Sequence, residues 1–230
     1  MNRSFTCFIT LIAMLGMHSQ SYAKCKKAQK DDSTKLAAKI KDKVNLSSVS
    51  NLEESIALLD EFLSTAKSDN QEAFILKVKS RLFREYGQQE AAVDTYKKVL
   101  ELDDVSFATR AQAHAFINAY NRPTNEAAKN IKPKFRKPAG MPPRAFKSGF
   151  SGQCNFIFDI DEMGKTTNID VYLCTAPLFK TSTRQAIEDW TYEPPMQAGV
   201  PAIATGISSS MTFITSDKKG KKCPLKKFDS

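Results

Sequence analysis

Apolar residues recur at helical spacing through the first half of the chain and at strand-like alternation through the second. Leu52, Ile56, Leu59 and Leu63 form one stripe, and Ser50 with Glu53 ahead of it has the spacing of a capping box. In the stretch beginning at Ala73, Gly87 separates two helical periods, with Ala92, Tyr96 and Val99 in the second. From Ser106 to Tyr120, the residues Ala113, Phe116, Ile117 and Tyr120 share one face. The spacing therefore predicts a layer of antiparallel helices.

Between Asn121 and Met141 the apolar period stops, and Pro123, Pro133 and Pro138 alternate with Lys and Arg. This composition predicts a linker, with a reach on the order of 60 Å at about 3.1 Å per residue. A short helical turn follows, and then Cys154, Phe156, Phe158 and Ile160 alternate with Asn155, Ile157 and Asp159 as in a half-buried strand. Asp161 to Gly164 is the expected turn, with Gly164 free to take positive φ. Ile169, Val171 and Leu173 mark the returning strand. Asp159, Asp161, Gly164 and Asp170 fit the spacing of a calcium loop, but Met163 stands at a ligand position and strands flank the turn, so no metal site is expected.

A helix is then expected after Pro177, with Phe179, Thr183, Ala186, Ile187 and Trp190 on one face and Pro194–Pro195 as its stop. Gly199 turns the chain, and Val200 to Thr215 reads as a third strand. A right-handed crossover places that strand beside the first and parallel to the second, which makes it an edge. Ile203, Thr205, Ile207, Ser208, Ser209, Ser210, Met211, Thr212 and Phe213 would line it.

Two families are resembled. Ala73 to Ser106 resembles a single tetratricopeptide repeat: Phe83 and Gly87 lie near the helix-helix turn, Ala92 takes the small position of close crossing, and Tyr96 packs behind it. Ser80 and Asp104 depart from that pattern. The second resemblance is carried by Pro142-Pro143-Arg144-Ala145, the run from Gly152 to the Asp-x-x-Gly turn at Gly164, Asn168 to Val171, Leu178-Phe179, and Trp190-x-Tyr192-x-Pro194-Pro195 followed by Gly-x-Pro at Gly199. This concatenation is similar to the C-terminal domain of TonB-type energy transducers, with Met141 in place of the usual Tyr. The resemblance implies a periplasmic module that takes up an extended segment of an outer-membrane receptor on its last strand. The family's transducers also engage inner-membrane motor proteins through a retained N-terminal anchor.

Composition and charge refine that picture. Arg3, the apolar run Phe5 to Met17 and the small residues around Ala23 read as a cleavable export signal, too short for the roughly 20 apolar residues of a spanning helix. An inner-membrane anchor facing the periplasm is the alternative. Once Cys7 leaves with the signal, Cys25, Cys154, Cys174 and Cys223 remain, an even set suited to an oxidising compartment, with three pairings open. Pairing Cys154 with Cys174 across the hairpin requires a bulge near Tyr172 and Leu173 to bring the two into register. The formal charge of +9 is concentrated in lysine-rich segments, which suits weak contact with an anionic membrane surface. Nucleic acid is not an expected partner, because no basic strand is interleaved with aromatics. Without metal-ligand spacing or a nucleophile motif, and with His114 the one histidine after the signal, neither enzyme nor cofactor is expected.

The expected chain is α+β. Residues 1–23 form a signal peptide, 24–120 a tetratricopeptide-like helical region, 121–141 a basic linker, 142–216 a TonB-type domain and 217–230 a basic tail. The domain is expected as a three-stranded antiparallel-mixed sheet with one packed helix. The competing functional reading is a scaffold that binds partners through the helical layer.

Overall fold

A computed structural model describes Ile40 and residues 52–216 of the chain. The expected signal, Ser50 of the capping box, Cys25, Cys223 and the basic tail lie outside the described residues.

The helical layer consists of α1 (Leu52–Ser64), α2 (Asp69–Glu85), α3 (Gln89–Glu101) and α4 (Phe107–Asn121). The Ser68 and Ser106 side chains cap α2 and α4 by accepting the amides of Gln71 and Thr109. Helices α2 and α3 form the closest pair, as the Gly87 break implies. Ala92 is fully buried where they cross, and Ser80, also buried, donates its hydroxyl to the Ala92 carbonyl at 3.0 Å. The polar residue at this small position is therefore satisfied and is not a defect of packing. Tyr96 stacks on Phe116 of α4 with ring centroids 4.9 Å apart. Tyr120, expected on the inner face, is exposed and lines an open groove beside the start of α3.

The sheet domain is built on β2 (Gly152–Ile160), β3 (Thr166–Cys174) and β7 (Ala204–Phe213), in the order β3-β2-β7. Both pairings are antiparallel, so the sheet is not mixed, and the last strand lies beside the first as an edge. Cys154, Phe156, Phe158 and Ile160 all face the core. Helix α6 (Leu178–Glu188) covers that core, with Phe179, Thr183, Ala186 and Ile187 inward. Gly152 is the seat of Phe179: a Cβ there would lie 2.1 Å from its ring. Ahead of the sheet, Pro142 and Pro143 open the short helix α5 (Pro143–Ser148), whose Ala145 is buried.

Helix α6 ends at Glu188, well before the proline pair. Trp190 has left the helix and sits in the core, edge-on to Phe156 and Phe158, while Arg136 lies 4.2 Å over its ring. Its indole N–H donates to the Lys137 carbonyl at 2.8 Å. The next residues form β4 (Thr191–Tyr192), which pairs with β1 (Pro133–Phe135). That partner strand lies within the stretch expected as a linker, which is why apolar periodicity could not reveal where the helix stops. The strand expected over Val200 to Thr215 is also divided. A small hairpin of β5 (Met196–Gln197) and β6 (Val200–Pro201) turns at Ala198 and Gly199 before β7 begins.

The segment after Asn121 is laid against the sheet domain and does not span free solvent as an extended linker would. A 3₁₀ turn at Glu126–Asn130 buries Ala127 and Ala128 in the same core as Trp190. Alternating Pro and Lys conceal this, since two alanines do not make a period. Helix α4 crosses the outer face of the sheet and touches β3 and β7, which explains why Ile157 and Asp159 are buried as well as their core-facing neighbours.

Candidate functional site: the edge of strand β7

The pairing register determines which backbone groups of β7 are free. The Gln153 carbonyl accepts from Thr175 at 2.8 Å, so Gln153 faces β3. In an antiparallel ladder the direction alternates, so Gly152, Cys154, Phe156 and Phe158 turn toward β7, onto Phe213, Met211, Ser209 and Ile207. Ser208, Ser210 and Thr212 consequently turn their backbone N–H and C=O away from the sheet, and their side chains are exposed on its outer face.

The other residues of the expected edge have different places. Phe213 is core, its ring 4.7 Å from that of Phe179. Ile207 and Met211 pack partly against the same core, and Ser209 is half-buried. Ile203 precedes β7 and is exposed. Its carbonyl accepts from the Asn125 amide at 2.8 Å, and the Thr205 amide donates to the Asn125 Oδ1 at 3.1 Å.

At the start of β7 an ionic cluster joins the helical layer to the sheet. The Asp159 carboxylate is nearly buried and accepts from the Arg122 Nε at 3.0 Å, the Gly206 amide at 2.9 Å and the Asn168 Nδ2 at 2.9 Å. A second arm of the same guanidinium donates to the Asn168 carbonyl. Asn168 takes φ 48° where the β2–β3 register shifts, a conformation asparagine tolerates better than most residues. Gly206 has φ 70°, and a Cβ there would lie 2.5 Å from the Arg122 carbonyl oxygen. Only glycine lets the two backbones approach so closely. The spacing of Arg122, Asp159 and Gly206 along the chain carried no signal of this cluster.

On the outer face His114 of α4 stacks on Tyr172 of β3, with centroids 5.3 Å apart. Burial, reinforced by the Arg110 charge, holds the imidazole pKa below its ordinary value, and Asp170 partly opposes this. Burial likewise raises the pKa of Tyr172.

Cys154 and Cys174 form a disulfide with their Cα atoms 4.0 Å apart, at a non-hydrogen-bonded pair of the ladder. The pairing slips by one residue between Leu173 and Asp170, the bulge that their alignment requires. The remaining signature residues serve the fold. Tyr192 donates its amide to the Gly164 carbonyl at 2.8 Å, and Pro195 accepts from the Ala202 amide. Pro194 is exposed beside it. Among the described residues no cluster of His, Cys, Asp and Glu has the geometry of a metal site, and no helix is long and apolar enough to cross a membrane.

Comparison with known proteins bears on this part of the chain. Residues 141–214 match the family model described as the Gram-negative bacterial TonB protein C-terminal. This region is a TonB C-terminal domain. Two solved structures are also similar to part of the chain. The solution structure of the Pseudomonas aeruginosa TonB C-terminal domain is 24% identical, with 39% of this chain and 91% of that chain covered and a TM-score of 0.35. The TonB2 protein from Vibrio anguillarum is 29% identical, with 36% and 78% covered and a TM-score of 0.30. No curated protein matches the chain.

Proposed function

We propose that this protein is a periplasm-facing, TonB-like envelope protein. It binds an extended segment of an outer-membrane receptor by strand addition at β7, in receptor-linked transmembrane transport. The observation that carries this reading is the row of outward backbone groups at Ser208, Ser210 and Thr212 on an edge strand within a TonB C-terminal domain. An unpaired edge is a template for another strand: main-chain pairing supplies affinity and alternate side chains supply selectivity. Small hydroxyl side chains there leave room for an incoming backbone. The chemistry is binding, not catalysis.

Hydrogen exchange of the full chain with and without synthetic peptides from the periplasmic N-termini of outer-membrane receptors tests the proposal. Protection of the Ser208, Ser210 and Thr212 amides is expected, and no protection by any peptide refutes it. Ser210→Pro sharpens the test, because proline removes an outward N–H without touching the β2 ladder and is tolerated at an edge. That variant should fold normally and lose docking.

A second reading, a scaffold that captures partners through a tetratricopeptide-like layer, draws on an open groove of about 630 Å³ lined by Gly87, Gln88, Gln89, Glu90, Ala91 and Tyr120. If Tyr120→Ala abolishes partner capture while Ser210→Pro leaves it intact, the scaffold reading replaces the first. Engagement of inner-membrane motor proteins belongs to the first reading only if the N-terminus is retained in the membrane.

A further inference from the structure

The edge of β7 is open along only part of its length. Upstream of Ile207 the Ile203 carbonyl, the Thr205 amide and the Gly206 carbonyl are already bonded to side chains of the segment that leaves α4, and the Gly206 amide to Asp159. Asn125 acts as a short strand substitute: its Oδ1 accepts from the Thr205 amide at 3.1 Å, and its Nδ2 donates to the Ile203 carbonyl at 2.8 Å. The Thr124 hydroxyl donates to the Gly206 carbonyl at 3.0 Å, and the Thr205 hydroxyl to the Pro123 carbonyl at 3.2 Å.

This closure is held from three sides. The Asn125 Oδ1 also accepts from the Ala128 amide, capping the 3₁₀ turn whose alanines are buried in the sheet-domain core. Gly206 admits the Arg122 and Pro123 backbone at close range. The Arg122 guanidinium is bound to Asp159 and to the Asn168 carbonyl. Thus the residues that close the edge are fixed by the core, by the backbone and by an ion pair, whereas among the described residues nothing comparable lies over Ser208, Ser210 and Thr212.

We propose that Asn125, assisted by Thr124, is a specificity-determining stop on the docking edge. The inference rests on the strand-addition reading and adds the partner's length and register. The open run from Ile207 to Phe213 fits an extended receptor segment of about seven residues, roughly 23 Å at 3.3 Å per residue. A segment continuing toward Ile203 meets backbone groups already engaged by Asn125, Thr124 and Asp159 and has to leave the sheet there. A partner strand therefore gains no backbone pairing from residues beyond the stop.

The test uses the full chain. In the free protein, the Thr205 amide should exchange about tenfold or more slowly than that of Ser208. Equal rates would overturn this inference alone, whatever docks. A peptide that protects Ser208 to Thr212 is then compared with the same peptide lengthened by four residues at the end nearer Ile203. For the native chain the two should bind equally. In Asn125→Ala the longer peptide should bind about tenfold tighter, as expected for two recovered backbone hydrogen bonds. Thr124→Val, which removes only one hydroxyl donor and keeps the 3₁₀ cap, should show the same trend with a smaller gain. An equal gain on lengthening in the native chain and both variants overturns the stop. If no peptide protects Ser208 to Thr212 although Thr205 exchanges slowly, strand addition itself falls, and the inference with it.

Discussion

In the helical layer each helix packs on its neighbour in the chain, α2 on α3 and α3 on α4. In the sheet domain, by contrast, the meeting groups are far apart in sequence. Trp190 donates to Lys137 across 53 residues, and Ser151 meets Thr215 across 64. Local packing lets one helical pair loosen without its neighbours, whereas an interior closed by long-range contacts is gained or lost as a unit. The ionic cluster around Asp159 is where these two kinds of order meet.

The largest effect is expected inside the sheet domain. Trp190→Ala removes a side chain packed against Phe156 and Phe158 and should cost about 4 kcal/mol. Circular dichroism during denaturant unfolding should show the β signal lost early while most of the helical signal persists. A single shared transition at the native midpoint would contradict the contrast drawn between the two regions.

Next is the joint. Arg122→Ala leaves the buried Asp159 carboxylate without its cation and should cost about 3 kcal/mol. The two regions should then unfold separately, and proteolysis should begin between residues 121 and 131. If one cooperative transition survives, the ion pair is not what couples them.

Replacing Cys154 and Cys174 together by Ala should cost about 2–3 kcal/mol for a sequence separation of 20. Reduction of the native protein should lower its melting temperature, and the double variant should respond less. An equal response of both to reductant would mean that this crosslink contributes nothing.

The smallest effect is pH-dependent. The folded chain holds His114 with a lowered pKa, so the unfolded chain takes up a proton first. The stability it contributes is complete above the ordinary histidine value of about 6.5 and is lost as pH falls from there toward the folded value. Melting temperature should therefore decline between pH 7 and pH 5, and His114→Gln should flatten that decline. Identical pH profiles would show that the contact with Tyr172 does not oppose protonation.

These contrasts also decide what was legible in the sequence. The helices around Gly87 are visible because helix packing writes its period into the chain. The β2–β3 hairpin is visible because alternation at Cys154 to Ile160 and the turn at Gly164 are local signals. The position of β7 followed from handedness and the residues of a known domain. What stayed hidden depends on partners remote in sequence. The end of α6 is determined by pairing of Thr191–Tyr192 with Pro133–Phe135, and the burial of Ala127 and Ala128 has no period to announce it. The outward-facing part of the β7 edge was legible in Ser208, Ser210 and Thr212, though not the inward turn of Ser209 between them. Its closed part was not, because nothing in the sequence of Asn125 says which strand it will face.

The crosslink between β2 and β3 also bears on the timing of folding. A thiol pair joins only where the surroundings are oxidising, so a chain made in a reducing compartment must form this domain without its crosslink. In that state the domain least tolerant of partial order is at its least stable. Once oxidised, the same two residues restrict the unfolded ensemble and favour the native state. Such a bond acts as a delayed latch, open while the surroundings are reducing and closed once they oxidise the pair.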